Sequence, residues 1–268
     1  GASANDVVEM VAFDVFSVND SVSAKDGGSF AGNVAMAGDL TVDTNVLKVD
    51  TTNNRVGINV TSPSRTLQIA GNGNRVASFT HSGDYAFATF SDQNTSNDGS
   101  VRVGAYGNDL QLLAGGSARV IVDATGAVTM PAQPAFLAVP ASGQTNLATN
   151  TTIVFGTEKF DQNADFASNT FTAPVTGKYQ LNFMGRVDQI DTAANWQRLV
   201  LVTSNTAYES QLFDLGGLSG DPAYWNFNIN VLADMDASDT AFIKWQHDGG
   251  SNQADMTEQA FFSGYLVA

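Results

Sequence analysis

Short runs of alternating apolar and polar residues, parted by polar turns, fill the first half of the chain. From Pro134 onward the runs lengthen and take up aromatics. Period-two alternation places every second side chain on one covered face, so both halves read as β-strands. Asp39-Leu40-Thr41-Val42-Asp43 leads to Leu47-Lys48-Val49-Asp50, the polar turn Thr51-Thr52-Asn53-Asn54, and Arg55-Val56-Gly57-Ile58. Much later, Val120-Ile121-Val122-Asp123 passes through Ala124-Thr125-Gly126 to Ala127-Val128-Thr129-Met130. Each is a strand ending in Asp, a turn bearing Asn or Gly, and a second short strand. That is a hairpin signature, because Asn and Gly accept the positive φ that tight turns need. Reuse of one hairpin design suggests a structure built along an axis.

Between these copies the spacing predicts strands at Thr66–Ile69, Arg75–Thr80, Tyr85–Phe90, Ser100–Tyr106 and Asn108–Leu112. Short strands with one small-residue face suit a β-rich stalk in which each sheet covers another chain; an ordinary monomeric β domain is the other reading. Val7–Phe16 is apolar and β-branched, and fits a strand or a short helix. It serves equally as an attachment to a larger assembly or as a first stalk layer. In the second half, Pro134–Val139, Thr152–Phe155, Glu158–Asp161, Phe166–Phe183, Trp196–Val202, Trp225–Val231, Thr240–Trp245 and Phe261–Val267 read as strands. Tyr179, Leu181 and Phe183 share one face, with Gln180 and Asn182 on the other. Strands at this spacing predict a two-sheet sandwich.

Composition sharpens the division. Residues 1–134 hold six Phe, two Tyr and no Trp, whereas residues 135–268 hold eleven Phe, four Tyr and all three Trp. The second half can build a conventional core; the first is too thin to build one alone. The predicted organisation is therefore 1–35 as attachment segment or first stalk layer, 36–133 as stalk, and 134–268 as head. The net charge of −15, with twelve Lys and Arg in 268 residues, argues against nucleic acid and anionic lipid as partners. There is no cysteine, which removes disulfides, thiolate nucleophiles and Cys-ligated zinc. No stretch reaches the length of a membrane-spanning helix, and Gly1–Asp6 lacks the basic start of a signal peptide.

Two resemblances follow from these residues. The run Leu47–Ile69, with Arg55-Val56-Gly57-Ile58 and Thr61-Ser62-Pro63-Ser64 in order, resembles the recurring segment of phage tail-fibre proteins. Asn59-Val60 stands where that segment usually has Gly-Thr, and the second copy around Asp123 lacks both motifs. The second half resembles the C1q/TNF-like jelly roll. It opens on Pro134-Ala135-Phe136, carries Phe171-Thr172-Ala173-Pro174-Val175-Thr176-Gly177-Lys178-Tyr179 with Phe183, and closes on Phe262-Ser263-Gly264-Tyr265-Leu266. The family's Gly-Asp pair before its penultimate strand is missing; Asp234, Asp236 and Asp239 stand there instead. The resemblance implies an all-β protein: an elongated trimeric stalk followed by a C1q/TNF-like jelly-roll sandwich, with the Phe136 and Phe262–Leu266 strands near the base of a homotrimer.

Candidate chemistry is sparse. His81 and His247 are the only histidines, without the partners a zinc site or a catalytic triad needs, and His247 is expected in a loop. No catalytic residue and no cofactor is predicted. Asp161, Asn163 and Asp165 place oxygen ligands at alternate positions, like the start of a calcium loop, but Phe166 and Thr172 stand where such a loop needs Gly and Glu. A solvated loop is the competing reading. Contact with a receptor is expected on the loops Asp188–Asn195, Leu215–Tyr224 and His247–Asp255, through Asp188, Asp191, Asp221, Tyr224, Trp225, His247 and Asp248. Trp225 and Trp196 also fit the core. The expected function is that of a non-enzymatic virion fibre or spike whose trimeric head meets a host glycan or protein and whose N-terminal part meets other virion proteins. A capsid decoration without a ligand and a bacterial surface adhesin are the alternatives.

Overall fold

The computed structural model describes residues 4, 33–42, 46–71, 73–74, 76–210, 212 and 215–268. The run Val7–Phe16, and with it most of the expected attachment segment 1–35, lies outside the described residues. The chain divides into two compact units, residues 1–78 and 79–268.

The first unit holds one small sheet: β1 (Leu40–Val42), β2 (Leu47–Asp50), β3 (Arg55–Ile58) and β4 (Leu67–Ile69), adjacent in that order. β1 to β3 are antiparallel, and β4 joins β3 in parallel. The motif residues each have a local job. The Asp50 carboxylate accepts the Asn53 backbone N–H at 3.1 Å and its side-chain amide at 2.9 Å, closing the hairpin, and Asn54 takes φ 54°. A Cβ on Gly57 would lie 2.6 Å from the Val60 carbonyl oxygen, so the strand needs glycine there. Arg55 donates to the Pro63 carbonyl at 2.9 Å, and the Ser64 N–H donates to Gln68 Oε1 at 2.7 Å. The chain is thereby folded back so that β4 lies beside β3.

In the second unit, β5 (Tyr85–Thr89), β6 (Arg102–Tyr106), β7 (Asp109–Ala114), β8 (Ser117–Val122) and β9 (Val128–Thr129) form an antiparallel meander. Asp123 closes the last hairpin by accepting the N–H groups of Thr125 and Ala127 at 2.8 and 2.9 Å, with Gly126 at φ 92°. The strand expected at Arg75–Thr80 is not formed among the described residues 76–80. β4 is paired only with β3 and β5 only with β6, so no neighbour offers that run a ladder.

The remaining strands make a sandwich. They are β10 (Ala135–Val139), β11 (Thr151–Thr152), β12 (Thr157–Gln162), β13 (Phe166–Ala167), β14 (Thr170–Thr172), β15 (Gly177–Asp188), β16 (Ala194–Thr203), β17 (Ala207–Glu209), β18 (Tyr224–Met235), β19 (Thr240–Gly249) and β20 (Asp255–Leu266). One sheet runs β12-β10-β20-β15-β18, the other β13-β14-β19-β16-β17, with β11 also on β19. After β15 the chain crosses to β16 and β17, returns for β18, crosses for β19 and returns for β20. This alternation makes an all-β jelly roll. Thr152–Phe155 is strand only at its start, since Ile153 and Phe155 turn into the core instead.

Alternation places Tyr179, Leu181, Phe183 and Val187 of β15 inside, all but fully buried. Phe136 stacks on Phe166 and on Phe171, ring centres 4.9 Å apart in both pairs, and meets Phe262 edge-on at 5.0 Å. Offset and edge-on contacts suit the ring quadrupole. Tyr179 keeps its hydroxyl satisfied by donating to the Val175 carbonyl at 2.8 Å. Gly264 sits where a Cβ would press within 2.8 Å of Phe136 and closer to Leu181, which explains the glycine of the closing motif.

Candidate functional site: a loop platform at one end of the sandwich

The ends of the long strands bring three loops together. β15 finishes at Asp188 and β16 starts at Ala194; β18 starts at Tyr224; β19 finishes at Gly249 and β20 starts at Asp255. In the ladders, Asp188 faces Tyr224 on one side and Asp255 on the other, and Ala194 faces Gly249. The segments between these strands therefore meet at one end of the sandwich. They are the three loops on which receptor contact is expected from the sequence.

Two carboxylates tie them. Asp191 accepts the Ala193 N–H at 2.8 Å and both the N–H and the hydroxyl of Ser251 across the gap, the latter at 3.0 Å. Asp221 accepts the Thr192 N–H at 2.8 Å, the Thr192 hydroxyl, and the Gln253 amide at 3.0 Å. These donors stabilise the ionised form, so both acids are held below their ordinary range. For Asp191 the leading cause is the Ser251 N–H. For Asp221 the Thr192 hydroxyl leads, and the value is lowered to about 2. Around them, Asn195 donates to Asp248 at 2.9 Å, and Asp255 accepts Asn146 N–H and Gln189 Nε2, each at 2.7 Å. Gly250 has φ 68°, and a Cβ there would lie 2.5 Å from the Asp191 carboxylate.

The expected contact residues fall into two groups. Asp191 and His247 are buried and brace the loops from inside. His247 lies at the end of strand β19, not in a loop. Its Nδ1 is 2.9 Å from the Gly249 carbonyl oxygen, and its Nε2 is 3.1 Å from Asn252 Oδ1. Tyr224, Asp221 and Asp248 are exposed, and Asp188 is half-buried. Asp188 accepts Arg186 in a two-pronged pair at 2.6 and 2.8 Å, and the Arg186 guanidinium lies 4.9 Å from the Tyr224 ring centre. Trp225 is half-buried against the core, Trp196 half-buried under Arg198, and Trp245 fully buried. Thr192, Ser251 and Gln253 complete the ties and carry no sequence signal beyond being polar residues in loops.

At the opposite end, Asp161 lies near the close of β12, and Asn163 and Asp165 lie in the turn that follows. Asp161 accepts the Asp165 and Phe166 N–H groups at 3.0 Å each, and Asn163, at φ 83°, donates its amide to the Ala132 carbonyl at 2.9 Å. Burial, and then the Asp161 charge, push Asp165 above the ordinary carboxylate range. Both Asp161 oxygens are thus taken up by the turn that carries the chain from β12 to β13. Among the described residues no group of three or more His, Cys, Asp or Glu is placed to hold a metal ion.

No known family profile matches the chain, and no curated protein does. Among solved structures, the chain is similar to the globular domain of zebrafish complement 1qA protein. Identity is 17%, the TM-score is 0.40, and the match covers 51% of this chain and 98% of that one. It is also similar to murine APRIL at pH 8.5, with 10% identity, a TM-score of 0.37 and coverage of 50% and 99%. A second APRIL structure, at pH 5.0, gives 11%, 0.36 and the same coverage. The jelly-roll fold is defined by the chain's own strand order and pairing.

Proposed function

We propose that the chain is a non-enzymatic, homotrimeric fibre or spike protein of a virion, whose C-terminal C1q/TNF-like head meets a host-surface glycan or protein through the loop platform. The supporting observation is where the platform lies. The chain comes into the sandwich at Pro134, whose carbonyl accepts Leu266 N–H at 3.1 Å, while Gln133 donates to the Leu266 carbonyl at 3.0 Å. Those residues mark the far end of β10 and β20 from the platform. A loop cluster at the end away from the incoming chain is suited to display. Its carboxylates accept loop N–H, hydroxyl and amide groups, a positioning role. Its exposed Tyr224, stacked by Arg186, is an aromatic face of the kind that anchors saccharide or protein contacts.

The test is cell-surface and glycan-array binding by the full chain, together with sedimentation. Wild type is expected to sediment at three times the 28.2 kDa chain mass and to bind; Tyr224→Ala should weaken binding by about tenfold or more. Absence of binding by a correctly assembled trimer would instead favour a projection that needs no ligand. A wild-type chain that sediments as a monomer would remove the trimer.

A further inference from the structure

The β5–β9 sheet has two unlike faces. On one, Phe87 lies over Gly104, where a Cβ would meet the Phe87 ring and backbone within 2.8 Å. The Arg102 guanidinium stacks on that ring at 4.9 Å, and Tyr85 and His81 extend the stack. Gln111, Asp109 and Thr129 share this side with Tyr106, Leu113 and Ile121. It is a mixed face, on which stacked rings alternate with polar and charged groups.

The other face is aliphatic along its ladders except at one rim position, Ser117 of β8 opposite Ala114 of β7. Ala86 and Ala88 of β5 stand beside Ala105 and Val103 of β6. Next to these come Leu110 and Leu112 of the central strand β7, then Val122 and Val120 of β8, with Val128 of β9 at the edge. In the single chain Leu110 is 49% exposed, Leu112 44% and Val128 59%. The central strand of a five-stranded sheet is where such side chains are normally covered best.

We infer that this aliphatic face is a self-association surface, covered by the same face of further copies of this chain. Three observations select that occupant. The ladder positions of the face carry no charge, and Ser117 at the rim is their one hydrogen-bonding side chain, so the centre offers nothing with which to recognise a polar partner; such composition belongs to obligate interfaces. Each copy brings a net charge of −15, so copies meet at least cost where neither presents charge. The relief is self-complementary, with alanines on the β5–β6 side and leucine and valine from β7 to β9. The patch spans on the order of 300 Å², against roughly 800 Å² per partner in a stable interface. It therefore fits the interior of a larger closed assembly better than a free-standing dimer. In that respect the inference rests on the oligomer proposed above.

Because the chain has no cysteine, single cysteines report on each face directly. Leu112→Cys and, as the control on the other face, Thr89→Cys are made in the full chain and treated with maleimide, with a short bismaleimide, and by sedimentation. The expected result is that Leu112→Cys reacts about tenfold more slowly than Thr89→Cys and alone cross-links between chains. An oligomer in which Leu112→Cys reacts freely and does not cross-link overturns the inference while leaving the trimeric head standing. Protection of Leu112→Cys in a protein that sediments as a monomer also overturns it, since its own chain or another molecule then covers the face. Cross-linking with no binding at the platform would sink the attachment role and keep the inference.

Discussion

The sandwich and the five-stranded sheet before it use the same period-two pattern to different ends. In the sandwich the inner positions of two sheets face each other, and Phe136, Phe171, Tyr179, Phe183, Trp245 and Phe262 are all but fully buried. In the sheet one face stacks Arg102 and Tyr85 on Phe87, while on the other Leu110 and Leu112 stay exposed. Alternation specifies which residues share a face. It does not specify whether the same chain supplies the opposing layer. That depends on having enough large side chains for two sheets, which the second half has and the first lacks.

The comparison breaks most sharply by truncating an aromatic. Phe171→Ala in the sandwich should cost about 3–5 kcal/mol in denaturant unfolding, because the cavity lies between closed layers. Leu112→Ala should cost less than about 1 kcal/mol if the face is bare, and about 2–5 kcal/mol if copies cover it. Next in size is Asp161→Ala. It leaves the Asp165 and Phe166 N–H groups of the β12–β13 turn without their acceptor and should lower stability by about 1–3 kcal/mol. Added calcium should not change the stability of the wild-type chain if the carboxylate serves that turn alone.

Acid should separate the platform from the core beneath it. Asp221 is lowered from its ordinary 3.8 to about 2, and Asp191 is lowered as well. Their folded forms therefore hold protons less tightly than the unfolded chain does. Their contribution is full above the ordinary value and is lost as pH falls through the folded value. Hydrogen exchange should show Thr192 and Ser251 losing protection as pH falls from about 4 toward 2, while β15 stays protected; Asp221→Asn should remove this pH dependence at Thr192. The smallest effect is expected at Asp165, whose pKa burial raises above the ordinary value. Its ionised form is disfavoured in the fold, so the penalty is present at neutral pH and relieved as pH falls through the raised value. Asp165→Asn should therefore stabilise the domain by less than about 1 kcal/mol in a thermal melt.

Local chemistry was legible in the sequence, and partnership across the fold was not. The Asp-turn hairpins at Asp50 and Asp123 were readable because one side chain and the next few N–H groups decide them. The inner face of β15 was readable from alternation alone. The ties from Asp191 to Ser251 and from Asp221 to Thr192 and Gln253 were not, since they join residues that strand register brings together from far apart. The same limit explains Arg75–Thr80, which alternates like a strand but whose described residues 76–80 join no ladder. His247 was misplaced because Asp248-Gly249-Gly250 reads as a turn. In the structure β19 continues to Gly249 through its pairing with β16.

Asp221 and Leu215 also anchor one loop at two points. Leu215 is buried in the core and Asp221 is bound to two neighbouring loops. Between them, an added Cβ at Gly217 or Gly220 would meet nothing within 4 Å. Gly217 and Gly220 are thus open positions. A side chain added at either would project without touching the anchors, so this end of the sandwich can change its surface with no change of fold.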